Sequence, residues 1–456
     1  MNIRLSDHFT YRKLIRFTLP SIAMMIFTSI YSVVDGFFVS NYVGKTSFAA
    51  VNFIMPFLII LGAFGFMFGT GGSALISKTL GEGDREKANR LFSMLTYLSA
   101  GVGAVIAALG ILFIRPVAAR LGAEGTLLDD CVLYGRIILA ALPAFMLQQE
   151  FQSFLVTAEK PHLGFAVTVS AGVTNMVLDA VLVAGFRCGI AGAAMATAFS
   201  QLIGGLVPLL YFAFPNRSLL RLTKTSFDGK ALLRTCTNGS SELMSNISMS
   251  VVGMLYNWQL LRYAGEDGVA AYGVLMYVGF IFVAIFIGYS IGAAPLVGYH
   301  YGAQNRPELR NLLRKSLVVI GIFSIGMVIA GETLARPLSL LYVGYDGELL
   351  RLTLRGFVFF SLSFLFSGLA IYGSGFFTAL NNGLISALIS FLRTFVFQIA
   401  AILILPQIWG IDGIWASLIV SELMAAAVTA TFLVGLRKRY GYGIRDTAPR
   451  SGETPE

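Results

Sequence analysis

KTLGEGDREKANRL at residues 78–91 is met again, in altered letters, as HYGAQNRPELRNL at 300–312. Each has a glycine, a short polar turn and a charged restart of a helix. Gly81 pairs with Gly302, an offset of 221, and that offset runs on without a gap in both directions. Gly44 pairs with Gly265, Ala49-Ala50 with Ala270-Ala271, and Arg115-Pro116 with Arg336-Pro337. Thr157-Ala158 pairs with Thr378-Ala379, Gly189 with Gly410, and Gly192 with Gly413. One glycine-rich loop matches by chance; seven landmarks in one register do not. The chain is two copies of one unit, about 17–213 and 238–434. Self-similarity of this kind decides architecture before any single side chain is read.

Of the 456 residues, 56% are hydrophobic and 12% charged, and the mean hydropathy is +0.76. Water-soluble domains carry roughly 25% charged residues, so a soluble fold is excluded. The apolar residues fall in stretches long enough to cross ~30 Å of hydrocarbon as helices. They predict twelve: 15–39, 48–76, 92–114, 132–155, 164–184, 189–213, 239–261, 270–298, 313–331, 353–379, 384–405 and 410–436. Alternation of period two is missing, which excludes a membrane β-barrel. The fold class is therefore an all-α polytopic membrane protein of twelve transmembrane helices in two six-helix repeats. Six is even, so both repeats enter from one side and are parallel, related by an axis along the membrane normal. The expected divisions are an N-terminal lead at 1–14, an N-lobe at 15–213, a polar linker at 214–237, a C-lobe at 238–436 and a polar tail at 437–456 without packed structure.

A net charge of +9 could suggest nucleic acid, but its distribution follows topology. Twenty-three Lys and Arg lie on the side of the lead, linker and tail, nine on the other side, and Arg393 within a helix. By the positive-inside rule the first side, with both termini, is cytoplasmic, and the location is the cytoplasmic (inner) membrane. The first apolar stretch lacks a cleavage site, so no signal peptide is expected. Cys131, Cys188 and Cys236 have no metal or redox spacing; whether Cys131 and Cys188 pair stays open.

Ionisable residues inside membrane helices are costly and face a cavity or a partner. They are Asp35, Glu150, Asp179, Glu242, Arg393 and Glu422, and the shift of 221 lands on Tyr256, Ile371, Ala400, Ser21, Gly172 and Gln201. The scaffold is symmetric and the charges are not. Asp35 and Asp179 each lie about a turn from the outer end of their helices; Asn175 is four residues before Asp179, on the same face. With Thr197 they form a candidate cation or proton site, since oxygen ligands suit a hard cation and paired carboxylates suit a transferable proton. Burial as polar glue between helices is the plainer alternative. Arg393 and Glu422, matched in depth on neighbouring helices, read first as a structural buried pair. Glu150 and Glu242, near inner ends, are candidates for a cytoplasmic entrance, and His300 reads as interfacial. No GxSxG, HExxH or P-loop supports an enzyme.

The stretches LPSIAMMIFTSIYSVVDGFFVSNYVG at 19–44, LGEGD, YGAQN, TNMVLD at 174–179 and GIAGAAMAT at 189–197 resemble the MATE (multidrug and toxic compound extrusion) transporters, in the DinF-like branch of the multidrug/oligosaccharidyl-lipid/polysaccharide exporter superfamily. The resemblance covers 10–436 and implies two lobes around a central cavity that binds lipophilic organic cations. It implies H+ or Na+ as coupling ion at Asp35 and Asp179, with Asn175 and Thr197 as companions and Gln152 as the nearest match to a helix-4 amide. Cavity candidates are Tyr31, Glu150, Glu242, Met249, Tyr256 and Met276. A NorM-like C-lobe site is disfavoured, because helices 8 and 10 carry no acid within the membrane. The expected function is a cation-coupled antiporter exporting such compounds by alternating access, as a monomer, without cofactor or nucleic-acid partner. The alternatives are a flippase for a lipid-linked saccharide or other amphipathic metabolite and, more remotely, a membrane-embedded lipid enzyme.

Overall fold

A computed structural model describes residues 3–344 and 346–443, and among them every regular element is helical. The first half comprises α1 (Tyr11–Phe38), α2 (Lys45–Gly81), α3 (Arg85–Arg120), α4 (Gly125–Thr157), α5 (Pro161–Leu178) and α6 (Gly189–Ala213). The second comprises α7 (Gly229–Gly302), α8 (Arg306–Val343), α9 (Gly347–Ala379), α10 (Gly383–Phe391), α11 (Phe397–Trp409), α12 (Ile411–Gly435) and the short α13 (Arg437–Tyr440). α7 is two helices in one, broken at Gly265 (φ 61°, ψ −150°). Tyr256 before the break stacks on Tyr272 after it, ring centres 5.2 Å apart, so the two arms run back along each other. α10 and α11 are one crossing, joined by a π-helical turn at Leu392–Val396. That makes twelve crossings among the described residues.

The repeat extends to individual hydrogen bonds. Glu82 N–H donates to the Lys78 carbonyl and Ala303 N–H to that of Tyr299, each at 2.9 Å. Asp84 caps α3 and Asn305 caps α8 through their side-chain oxygens. Gly83 and Gln304 have positive φ, as do Gly44 and Gly265. The offset of 221 is not unbroken, however. Ala158, Glu159 and Lys160 close the turn after α4 with the bonds that Leu380, Asn381 and Asn382 make after α9, an offset of 222. The sequence pairing of Thr157-Ala158 with Thr378-Ala379 is thus one residue out. An added residue between α8 and α9 shifts that stretch without disturbing the helices, as a surface loop allows.

The lobes meet through glycines, all in the half of the molecule on the Lys/Arg-rich side, hereafter the basic side. A side chain at Gly81 would strike the Tyr299 carbonyl, and one at Gly302 the Lys78 carbonyl. Gly71 abuts Thr235, Gly239 abuts Met67, Gly288 abuts Ser21 and Ile22, and Gly292 abuts Thr18. Helices approach this closely only where no Cβ intervenes. Toward the far side, Gly36, Gly253 and Gly273 have nothing within 4 Å. The molecule is closed on the basic side and open on the far side.

Two expectations about the polar segments change. Residues 214–228 are not a free linker: they lie along α3, and 229–237 already belong to α7. The start of the tail is packed: the Tyr440 hydroxyl accepts from Asn382 at 2.7 Å, and Tyr442 donates to the Leu433 carbonyl at 3.0 Å. Two aromatic rings bury apolar area that a purely polar tail lacks. Residues 444–456 lie outside the described residues. All three cysteines are free, Cys131 buried and Cys188 exposed.

Candidate coupling-ion site

α1 passes the middle of the N-lobe as a regular helix and turns π-helical at Val39–Val43, one turn beyond Asp35. α5 does the same at Asp179–Gly185, with Asp179 the first residue of its π turn. Such turns release backbone groups and re-aim side chains, and they concentrate at functional positions. The third π turn contains Arg393. α5 lies against α1 because Gly172 leaves room: a side chain there would collide with the rings of Phe27 and Tyr31. One turn on, Asn175 and Asp179 therefore face Asp35.

The Thr197 hydroxyl on α6 points at Asp35 Oδ1, 3.4 Å away, a weak bond. The Asp35 carboxyl interacts with the side chains of Asp179, Asn175 and Thr197, and no Lys or Arg acts on either carboxyl. Asp179 is fully buried and Asn175 nearly so, yet both Asp179 carboxyl oxygens and the Asn175 amide oxygen lack a hydrogen-bond partner of normal length. Buried polar oxygens are almost always satisfied. Three orphaned oxygens converging on a half-buried carboxyl form a cradle for a proton or a small hard cation.

Two residues join this site that sequence reasoning did not select. The Tyr134 hydroxyl on α4 neighbours Thr197, and the Gln148 amide reaches the Tyr31 hydroxyl. Gln148 packs against Gly204. Gln152 is one turn nearer the basic side, beside Gln148, Gly164, Thr168 and Gly204 in a narrow gap between α4, α5 and α6. The run QQEFQ at 148–152 marks the helix. Choosing between two glutamines on one face needs the depth of α4, which the sequence does not print.

The other candidates divide. Tyr31, Glu242 and Met276 are half-buried, and Met249 is exposed on the first arm of α7. Tyr256 does not face open space in this conformation: it is buried in the C-lobe, bonded to Ser417 at 2.8 Å and stacked on Tyr272. Glu150 lines no water-filled entrance, since its side chain is fully enclosed by α2, α3 and α4, with Ser99 as neighbour. The sequence places it near a helix end, but α4 is the central helix of the lobe and its end is covered. His300 likewise is buried rather than interfacial, because Phe9 lies over it. Arg393 holds Glu422 bidentately, Nε to both oxygens at 3.1 and 2.9 Å and Nη2 to Oε1 at 2.9 Å. Glu242 is within electrostatic reach of Arg393, so the C-lobe gathers two carboxylates around one guanidinium. Among the described residues no three His, Cys, Asp or Glu side chains assemble as a metal site.

Comparison with known proteins agrees with this architecture. The chain is 26% identical over 436 residues to the multidrug export protein MepA of Staphylococcus haemolyticus, covering 94% of each chain. It is 23% identical to the protein of the same name from Staphylococcus aureus, again over 94% of each. Among solved structures, MATE in complex with MaL6 matches with a TM-score of 0.89 at 21% identity, covering 95% of this chain and 97% of that one. An outward-facing MATE family transporter of the MOP superfamily matches equally well, with the same score, identity and coverage. The MatE family model matches twice, at residues 20–181 and 243–404, once on each lobe. Matched over both repeats and most of its length, the chain belongs to the MatE family.

Proposed function

We propose that the protein is a multidrug exporter of the cytoplasmic membrane that carries lipophilic cations outward in exchange for inward movement of H+ or Na+. The basic side is cytoplasmic by the positive-inside rule, so the conformation described is outward-facing. The single observation that carries the coupling is the Asp35–Asp179 pair. Two carboxyls face each other with orphaned oxygens and no basic partner, and the half-exposed Asp35 lies toward the open side. The pair is stable only with a bound positive charge, because two close carboxylates in low dielectric repel strongly. An external cation fills it in the outward-facing state, and its release inward resets the lobes. Coupling then follows from unequal cation affinity in the two states. Substrate binds in the cleft between the lobes, where Tyr31, Met249 and Met276 offer apolar and aromatic contact. Since the whole path lies within one chain, the working unit is read as a monomer, and no cofactor enters the cycle.

The test is efflux of a fluorescent lipophilic cation from proteoliposomes, driven separately by a proton gradient and a sodium gradient. Transport under one of them, abolished in Asp35→Asn and Asp179→Asn at normal expression, is the expected result. Both variants transporting like the parent would sink the coupling assignment. Silence of folded protein under both gradients would move the reading to lipid-linked saccharides.

A further inference from the structure

The segment before α1 is strapped across the cytoplasmic seam. The Leu5 N–H donates to Glu159 Oε1, in the turn after α4 of the N-lobe, at 2.5 Å. Three residues on, the contacts are with the C-lobe. Phe9 N–H donates to Glu308 Oε1 at 2.9 Å, and His8 Nδ1 lies 2.6 Å from Glu308 Oε2. The Phe9 carbonyl accepts from Asn311 at 2.9 Å and from Lys315 at 2.5 Å. Leu5 and Phe9 are fully buried, the Phe9 ring edge-on to Phe17 of α1 and His300 of α7. The neighbouring charges are Arg4, Asp7 and Lys13 on the segment's own side and Lys160, Glu308 and Lys315 opposite.

The second repeat has a counterpart. Residues 218–228 lead into α7 but lie on α3 of the N-lobe: Arg85 donates to the Ser218 and Leu219 carbonyls at 2.9 and 3.1 Å. Arg221 N–H donates to Asn89 at 3.0 Å and Thr223 N–H to Ser93 at 2.8 Å. Each repeat's lead-in therefore rests on the third helix of the other repeat. The two straps differ in their fastening. The linker strap is held through its backbone by Arg85, Asn89 and Ser93, all on the lobe with which it is continuous at α6. The strap at 3–10 instead bridges both lobes, with Glu159 on one side of the seam and Glu308 and Lys315 on the other, and such charge-assisted bonds are strong ones.

We propose that residues 3–10 form a latch, anchored by Glu308, that must leave α8 before the protein can open inward. The inference rests on the alternating-access reading above. Glu159 and α1 move with the N-lobe and Glu308, Asn311 and Lys315 with the C-lobe. Bonds of 2.5–2.9 Å do not survive a separation of several ångströms. The latch meets α7 at His300, two residues before the Gly302 that interlocks with Lys78 beside Gly81, so it ties the lobes together close to their tightest contact. Glu308 thus acts on the transport cycle as a positioning residue, without touching substrate or coupling ion.

The experiment uses the full chain with Cys131→Ala, Cys188→Ser and Cys236→Ala, and spin labels carried by a ketone-bearing amino acid at Lys87 and Arg314, one exposed position on each lobe. His8→Cys with Glu308→Cys supplies an oxidisable tie. Under oxidant, the long inter-label distance of the inward-open state should fall at least about tenfold in population and efflux should stop, both returning on reduction. Separately, His8→Ala and Glu308→Ala should raise the long-distance population roughly tenfold, the effect of losing one or two charged hydrogen bonds. His8→Ala guards against a folding defect in the Glu308 variant, since it leaves the α8 cap untouched. An oxidised tie that still shows the long distance overturns the latch. A parent protein that never shows the long distance overturns alternating access itself, and the latch with it.

Discussion

Truncating Glu422 separates a structural pair from a functional one. Glu422 and Arg393 are 9% and 17% exposed at their side chains and share three contacts of 2.9–3.1 Å. Glu422→Ala leaves the guanidinium buried without its counter-ion. Breaking a buried pair from one side costs about 3–5 kcal/mol; here Glu242 lies within reach of Arg393 and offsets part of it, so about 3 kcal/mol is expected. At roughly 2–4 °C per kcal/mol for a large domain, the melting temperature should drop by roughly 6–12 °C. Cys131 reports the transition: it is fully buried, so with Cys188→Ser and Cys236→Ser a thiol-reactive dye labels it only on unfolding. The double variant Arg393→Met/Glu422→Leu removes both charges and keeps the volume, and should return to within about 1 kcal/mol of the parent. Per folded molecule, efflux should survive. Melting of Glu422→Ala within 2 °C of the parent, or a double variant less stable than the single one, refutes the electrostatic account. Normal melting with lost transport would instead make the pair part of the transport machinery.

Three further outcomes follow from the same geometry. Gly302→Ala places a methyl against the Lys78 carbonyl, a backbone contact between the lobes that exists only when the basic side is closed. Overpacking of about 1–3 kcal/mol should then favour the inward-open state by roughly 5- to 150-fold, read from the distance between labels at 87 and 314; an unchanged distribution contradicts the gate. Gly172→Val pushes α5 off the Phe27 and Tyr31 rings and parts Asn175 and Asp179 from Asp35. Ion-driven efflux should fall at least about tenfold while melting changes little, and intact coupling would mean that α5 does not position the site. At the surface of the basic side, burial raises the Glu159 pKa, against the lowering effects of the Leu5 N–H, Arg4 and Lys160, with Asp7 adding to the rise. Glu159 therefore holds a proton more tightly with the segment docked over it than with the segment released and the carboxyl in water. By linkage the segment's docking is strongest at acid pH and weakens as the pH on that side rises through the docked value. Hydrogen exchange at the Leu5 amide should speed up with pH beyond its intrinsic increase, and Glu159→Gln should remove the excess.

Much of the architecture was legible because it rests on local, repeated signals. Apolar runs of membrane length and glycines at a constant spacing need no tertiary information. Asp35, Asn175, Asp179 and Thr197 could be grouped because depth along a membrane helix follows from counting at 1.5 Å per residue. The same counting failed for Glu150 and His300. Depth says how far a residue lies from the surface, and enclosure depends on which neighbours cover it. It failed again between Gln148 and Gln152, which share a face one turn apart, and for Tyr256, whose ring is taken up by Tyr272 and Ser417.

The sequence by itself determined the membrane class, the two repeats, the gathering of Asp35, Asn175, Asp179 and Thr197 in one lobe and the side on which the basic residues lie, since each is a property of composition or spacing along one chain. Tertiary structure alone decided which side is open, which carboxyl is left without a partner, and that residues 3–10 and 218–228 cross to the opposite lobe's third helix. These depend on contacts between residues up to some 300 positions apart, as His8 and Glu308 are. Nothing local in either segment encodes its distant partner; only the packing of the two lobes brings them together.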